Sequence, residues 1–292
     1  MNQRVVVGLD GSAESAAASH WAAREAVLRG TSLHLVHAEE RGAALDAPAA
    51  KSDPDRTWVQ DLFDRISGEL REEHPRLRIS SESLDGRPAD VLAGAAESGS
   101  MLVLGSRGLG TLMGFVLGSV GMAVVHTARQ PVVLVRAPRR TPPDARKDQA
   151  ARTVVVGIGL GRRCDALLAF AFEEACRRGC GLVALHGWTP PPLAGSGLAY
   201  SPELNARLIR DAQTGLEDLL RPWRERYPTV VVDARAAAGR PSVQLLDACA
   251  EAELVAVGRR VRRLPTGGEH IGPVTHAVLH HSTAPVAVVA HT

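Results

Sequence analysis

Short apolar runs recur along this chain, separated by longer stretches of mixed polarity. In the first half the runs fall at 4–9, 32–38, 77–84, 101–105 and 131–136, and they are rich in Val and Leu. Near-continuous apolar character over so few residues marks strands covered on both faces, as in a parallel sheet. The stretches between them carry helical patterns. "SAESAAASHWAAREAVLRG" (12–30) offers Ser12 as N-cap, Glu14 in the first turn and Gly30 just past the end. "TWVQDLFDRISGELREEHP" (57–75) places Trp58, Leu62, Ile66 and Leu70 on one face and stops at Pro75. Two further helices are predicted over 88–99 and 118–129, and the connection 39–56 reads as a long mobile loop. Strands alternating with helices predict an α/β fold, a parallel sheet with helices on both faces.

The second half repeats the first. "RVVVGLDGS" (4–12) returns as "TVVVGIGLG" (153–161), and "GTSLHLVHAEE" (30–40) as "GCGLVALHGWT" (179–189). "GRPADVL" (86–92) returns as "GRPSVQLL" (239–246), and "TARQPVVLV" (127–135) as "STAPVAVVA" (282–290). The pattern predicts two domains of ordinary size, 1–138 and 153–292, joined by a linker at 139–152 rich in proline and charge.

Composition narrows the function classes. A formal charge of +2 over 292 residues gives no reason to expect a nucleic-acid binder. No apolar run approaches the ~20 residues of a membrane span, and no signal region precedes the first strand, so a cytoplasmic protein is expected. Cys164, Cys176, Cys180 and Cys249 lack the partners of a zinc site and read as small buried side chains. His280-His281 reads as a solvated helix end.

The candidate chemistry lies in "VLGSRGLGTLMGFVLGSV" (103–120). A P-loop would need a lysine before its Ser or Thr, and residues 105–119 contain none. A dinucleotide fingerprint belongs on the first strand, whereas this segment follows the fourth. Gly105 and Gly108 ring a strand end, where a missing Cβ allows positive φ and close approach of backbone amides to a ligand. Gly118-Ser119 then opens a helix, whose start offers unbonded N–H groups, the positive end of the dipole and a hydroxyl. Strand-end glycines also make tight turns and Ser also caps helices, so each residue alone has a structural reading.

The spacing Gly105-x2-Gly108-x9-Gly118-Ser119 resembles the ATP-binding motif of the universal stress protein family, and "VVVGLDGS" resembles that family's first strand with its acid, Asp10. The resemblance covers nearly all of both halves and is similar to the family's tandem type. It implies, in each half, a doubly wound five-stranded parallel sheet ordered 3-2-1-4-5. In that order the ends of strands 1 and 4 adjoin at the topological switch point. It further implies that Asp10 and Gly11 approach the adenosine and that Val36 lines an adenine pocket. Gly105, Ser106, Arg107 and Gly108 would pass the ribose and first phosphate, with Gly118, Ser119 and Val120 on the phosphates. The implied cofactor is ATP, with or without magnesium, and no metal-ligating or catalytic residue is assigned.

The second copy departs from the motif. Gly159 stands for Asp10, Val261 for Gly108, and Gly272-Pro273 for Gly118-Ser119. Val261 resists positive φ and Pro273 lacks an N–H, so this half is expected to be mainly structural. Arg259, Arg260, Arg262 and Arg263 form either a solvated loop or a charge offered to an anion. The whole chain reads as an ATP-binding stress-response module whose occupancy alters a surface seen by a regulatory protein. "PVVLV" (131–135) and "PVAVV" (285–289) would pair the repeats or two chains as a homodimer. The rival readings are a slow ATPase or phosphotransferase, and a dimerisation module with an empty crevice.

Overall fold

The computed structural model describes residues 4–40, 53–106, 118–137, 153–161, 164–189, 202–261 and 271–291. The chain divides into two compact units, Met1–Ala145 and Arg146–Thr292. The first contains β1 (Arg4–Leu9), α1 (Ala13–Leu28), β2 (Leu33–Glu39), α2 (Asp53–Glu73), β3 (Ile79–Asp85), α3 (Pro88–Glu97), β4 (Gly99–Ser106), α4 (Ser119–Thr127) and β5 (Val132–Arg136). The second contains β6 (Thr153–Gly157), α5 (Asp165–Arg178), β7 (Gly181–Trp188), α6 (Pro202–Arg226), β8 (Val232–Ala238), α7 (Pro241–Cys249), β9 (Ala252–Arg260), α8 (Pro273–His281) and β10 (Val286–His291).

Within the first unit all pairings are parallel, in the order β3-β2-β1-β4-β5. The second unit runs β8-β7-β6-β9-β10 in the same sense. Both orders are the 3-2-1-4-5 arrangement expected from the sequence. The central strands explain their composition. Val5, Val6 and Val7 are wholly buried because β1 is paired on both edges and covered on both faces. Each fully buried valine contributes about 1.5–3 kcal/mol relative to exposure. By contrast, β3 ("ISSESLD") is partly exposed along most of its length, as its polar residues require.

Helix boundaries follow local chemistry. Ser12 caps α1 by accepting the Ser15 amide at 3.1 Å, and Gly30 adopts φ +63 beyond its end. The predicted face of α2 needs one correction. Leu62, Ile66 and Leu70 are buried, but Trp58 is 48% exposed and has left that core face. The cysteines need another, since Cys164 and Cys249 are buried but Cys176 is exposed and Cys180 half-buried; all four are free. The expected mobile loop lies mostly, and the linker wholly, outside the described residues. Among those residues no helix is long and apolar enough to cross a membrane, and none group as a metal site.

Candidate functional site: a crevice at the switch point of each unit

Strands β1 and β4 are neighbours in register, with Val7 opposite Val103, so their carboxyl ends open side by side. The segment after β1 leads into α1, and α4 starts beside the end of β4. Between them lies a hollow of about 240 Å³, lined at its rim by Asp10, Ser12, Glu14, Ser15, Gly118 and Ser119.

Asp10 is exposed and held by its own turn. Its Oδ1 accepts the Ser12 amide at 3.0 Å and the Ser12 hydroxyl at 2.5 Å. The carboxylate therefore braces the start of α1 while facing the hollow. Gly118 is the N-cap of α4, with φ −59 and no capping side chain. The first helical bond runs from the Met122 amide to the Gly118 carbonyl, so the amides of Ser119, Val120 and Gly121 precede the ladder. All three residues line the hollow. A Cβ added at Gly118 would meet nothing within 4 Å, so packing of the described chain does not demand glycine there.

Gly105 lines the hollow too, but for a different reason than the sequence suggested. Its φ is not positive. A Cβ there would stand 2.6 Å from the Glu14 carbonyl carbon and 2.7 Å from the Ser15 amide nitrogen. Glycine at this position lets α1 close onto β4.

The remaining predicted residues divide. Val36 is fully buried and does not line the hollow; His37 does, because successive side chains on β2 face opposite ways, and Ala38 joins it nearer the end of the strand. Ser106 is likewise buried on the face of β4 opposite Gly105 and does not line it. Gly11 adopts φ +78 behind the rim, where a Cβ would meet the Trp58 ring at 2.8 Å. Arg107 and Gly108 lie outside the described residues.

Sequence reasoning missed His37, Pro88 and Leu92, all lining residues. A signal existed, because each recurs in the repeat as His186, Pro241 and Leu245. The histidines do the same local work. His37 Nδ1 donates to the Leu9 carbonyl at 2.8 Å and His186 Nδ1 to the Ile158 carbonyl at 2.9 Å, tying one inner strand to the next. Trp58 stands behind this wall without lining it; its ring is edge-on to His37, centroids 5.5 Å apart.

The second unit has a crevice in the corresponding place, and it is larger, about 430 Å³. A mainly structural half does not require such a cavity. Its polar complement is changed: Gly159 replaces Asp10, and α8 opens on Gly272-Pro273 with the same extended cap geometry as α4 (φ −65, ψ 156). Among the four arginines discussed, Arg259 is buried and Arg260 is exposed on the crevice, while Arg262 and Arg263 lie outside the described residues.

Comparison with known proteins places this arrangement. The family model described as Universal stress protein family matches residues 1–136 and again 150–290. Universal stress protein Rv2005c of Mycobacterium tuberculosis is 33% identical over 97% of this chain and 96% of its own length. Rv1996 of the same organism is 33% identical over 98% and 95%. A crystal structure of a universal stress protein from Archaeoglobus fulgidus shares the fold, with TM-score 0.69 at 16% identity over the full length of both chains. The chain belongs to the universal stress protein family and carries that family's domain twice.

Proposed function

We propose that the first unit binds an adenine nucleotide, ATP by the family motif, and that the protein works as a stress-response regulator through occupancy of that site. The observation that carries this reading is the uncapped start of α4 across the hollow from Asp10. Charge-assisted bonds from the Ser119, Val120 and Gly121 amides contribute about 1.5–3 kcal/mol each toward a phosphate, without a lysine. The open space at Gly118 suits close approach of such a group. The hollow's 240 Å³ falls just below the roughly 300–1,000 Å³ of typical ligand pockets, so it suits the nucleoside, with phosphates along the first turn of α4. Were magnesium to accompany the phosphates, Asp10 and Glu14 would be the carboxylates available at the rim to hold it, and it would supply charge neutralisation there.

Occupancy rather than turnover is favoured because candidate bases of the described lining already serve the fold: His37 Nδ1 bonds the Leu9 carbonyl at 2.8 Å. Asp10 is already engaged by Ser12. Phosphate release is expected to stay below about one per minute. The apolar strands β5 and β10, each with one partner strand in its own unit, are the proposed surfaces for pairing of repeats or of chains, and a cytoplasmic setting is proposed with them. Denaturing freshly purified protein and identifying released small molecules by mass spectrometry tests the reading. An adenine nucleotide near one per chain supports it. Protein with no released nucleotide and no rise in melting temperature on adding ATP would favour the dimerisation module.

A further inference from the structure

The crevice of the second unit is built from the same elements as the first, yet four polar lining positions have changed together. Asp10 corresponds to Gly159 and Ser119 to Pro273. Counting from the helix caps, Ser12 corresponds to Cys164 and Ser15 to Leu167. Every one of these exchanges removes a hydroxyl or a carboxylate that could meet a sugar or orient a phosphate chain. The Cys164 thiol is buried, and burial, with the nearby Asp165 charge, pushes its pKa up, so it remains neutral.

The floor is apolar: Ile158, Leu167, Leu185, Leu245 and Val257 are all nearly inaccessible to solvent. No carboxylate lines the crevice among the described residues, in contrast to Asp10 and Glu14 in the first. Basic groups sit at the mouth instead. The β9–β10 register sets Arg260 beside His291, and the His291 ring covers Gly258, where an added Cβ would lie 2.5 Å from its Nε2. Thr275, the other polar side chain of the lining, is engaged by donating its hydroxyl to the Gly258 carbonyl at 2.9 Å. The amides of Val274 and Thr275 still precede the first helical bond of α8, from His276 to Gly272, whereas Pro273 has none to give.

We propose that this second crevice is a binding site for a small amphipathic acid, one with a hydrocarbon body and a single anionic head, and not for a nucleotide. The body fills the apolar floor, and the head meets Arg260 and the first amides of α8. A volume of 430 Å³ lies within the range of small-molecule pockets. The inference stands apart from the nucleotide reading of the first unit, since it uses none of the same residues.

Calorimetry of the full chain with decanoate, and with decanol as its neutral counterpart, tests the proposal. The expected result is one decanoate per chain, decanol at least tenfold weaker, and decanoate binding undisturbed by saturating ATP. Arg260→Ala changes an exposed side chain, so it leaves the fold intact and is expected to weaken decanoate at least fivefold. Leu245→Phe, which narrows the floor, should weaken both compounds. Equal affinity for decanoate and decanol, indifference to Arg260→Ala, or displacement of decanoate by ATP would each overturn the proposal, as would no decanoate binding.

Discussion

Gly105 and Glu14 are pressed together where β4 meets the first turn of α1, with space for a hydrogen but not for a methyl group between them. Across the same hollow, Gly118 has open space where a side chain would go. Two glycines of one motif therefore have different physical causes. Gly105→Ala is expected to destabilise the protein by about 1–3 kcal/mol, read as a lower midpoint in urea, because backbone must move. Gly118→Ala is expected to change stability by less than about 1 kcal/mol and to weaken nucleotide binding at least tenfold. Equal loss of stability in both variants would contradict this division.

Trp58 offers an optical test. Its half-exposed ring stands beside His37, which lines the hollow, and over the turn at Gly11. Nucleotide entry is expected to change the intrinsic emission of the protein, and Trp58→Phe should abolish the change while leaving affinity within about threefold, because the indole is not itself part of the lining. A signal that survives the substitution would place the bound base elsewhere.

The cysteines should react unequally. Burial pushes the Cys249 thiol up to about 11, and the Cys164 and Cys180 thiols are pushed up as well, again mainly by burial. Cys176 is exposed. At pH 8 a thiol reagent is therefore expected to label one cysteine quickly, and Cys176→Ser should remove that fast phase.

Acid should weaken the first unit through His34. Its side chain is buried, with Nδ1 2.9 Å from the Ser80 hydroxyl, and desolvation followed by the Arg4 charge holds its pKa below the usual value despite the nearby Glu82. The unfolded chain then binds the proton more readily than the folded one. This contribution is fully present above the unfolded value of about 6.5 and is lost as pH falls toward the folded pKa. His34→Gln is expected to flatten the decline in melting temperature below about pH 6.5, and an unchanged profile would count against it.

Much of this architecture was legible because it is written twice. Unbroken apolar runs such as Val5–Val7 and Val154–Val156 can persist only where both faces and both edges are covered, and that fixes the parallel sheet. The site was legible where it depends on backbone, at Gly118 and Ser119, and less so where it depends on which way a side chain points. Val36 and His37 differ by one residue and so by a whole face of the sheet, and of the two only His37 lines the hollow. Trp58 looked like core because it continues the spacing of Leu62, Ile66 and Leu70. Its surroundings, His37 and Gly11, are contributed by distant segments that no helical period reveals. Loss of the motif in the second half was visible in Gly159 and Pro273, but the cavity that remains there was not, since its apolar floor reads as ordinary core.

The central claim rests on amides at the start of α4, and nature has supplied the substitution that removes one. Gly118 (φ −59, ψ 152) already has the extended geometry that precedes a proline, as Gly272 does before Pro273. Ser119→Pro should therefore fold normally while losing an N–H and a hydroxyl from the cradle. Calorimetric titration of the full chain with ATP, before and after this substitution, is the most direct measurement. One nucleotide per chain, weakened at least tenfold in Ser119→Pro at unchanged melting temperature, is the predicted result; no binding, or binding indifferent to the substitution, would contradict the account.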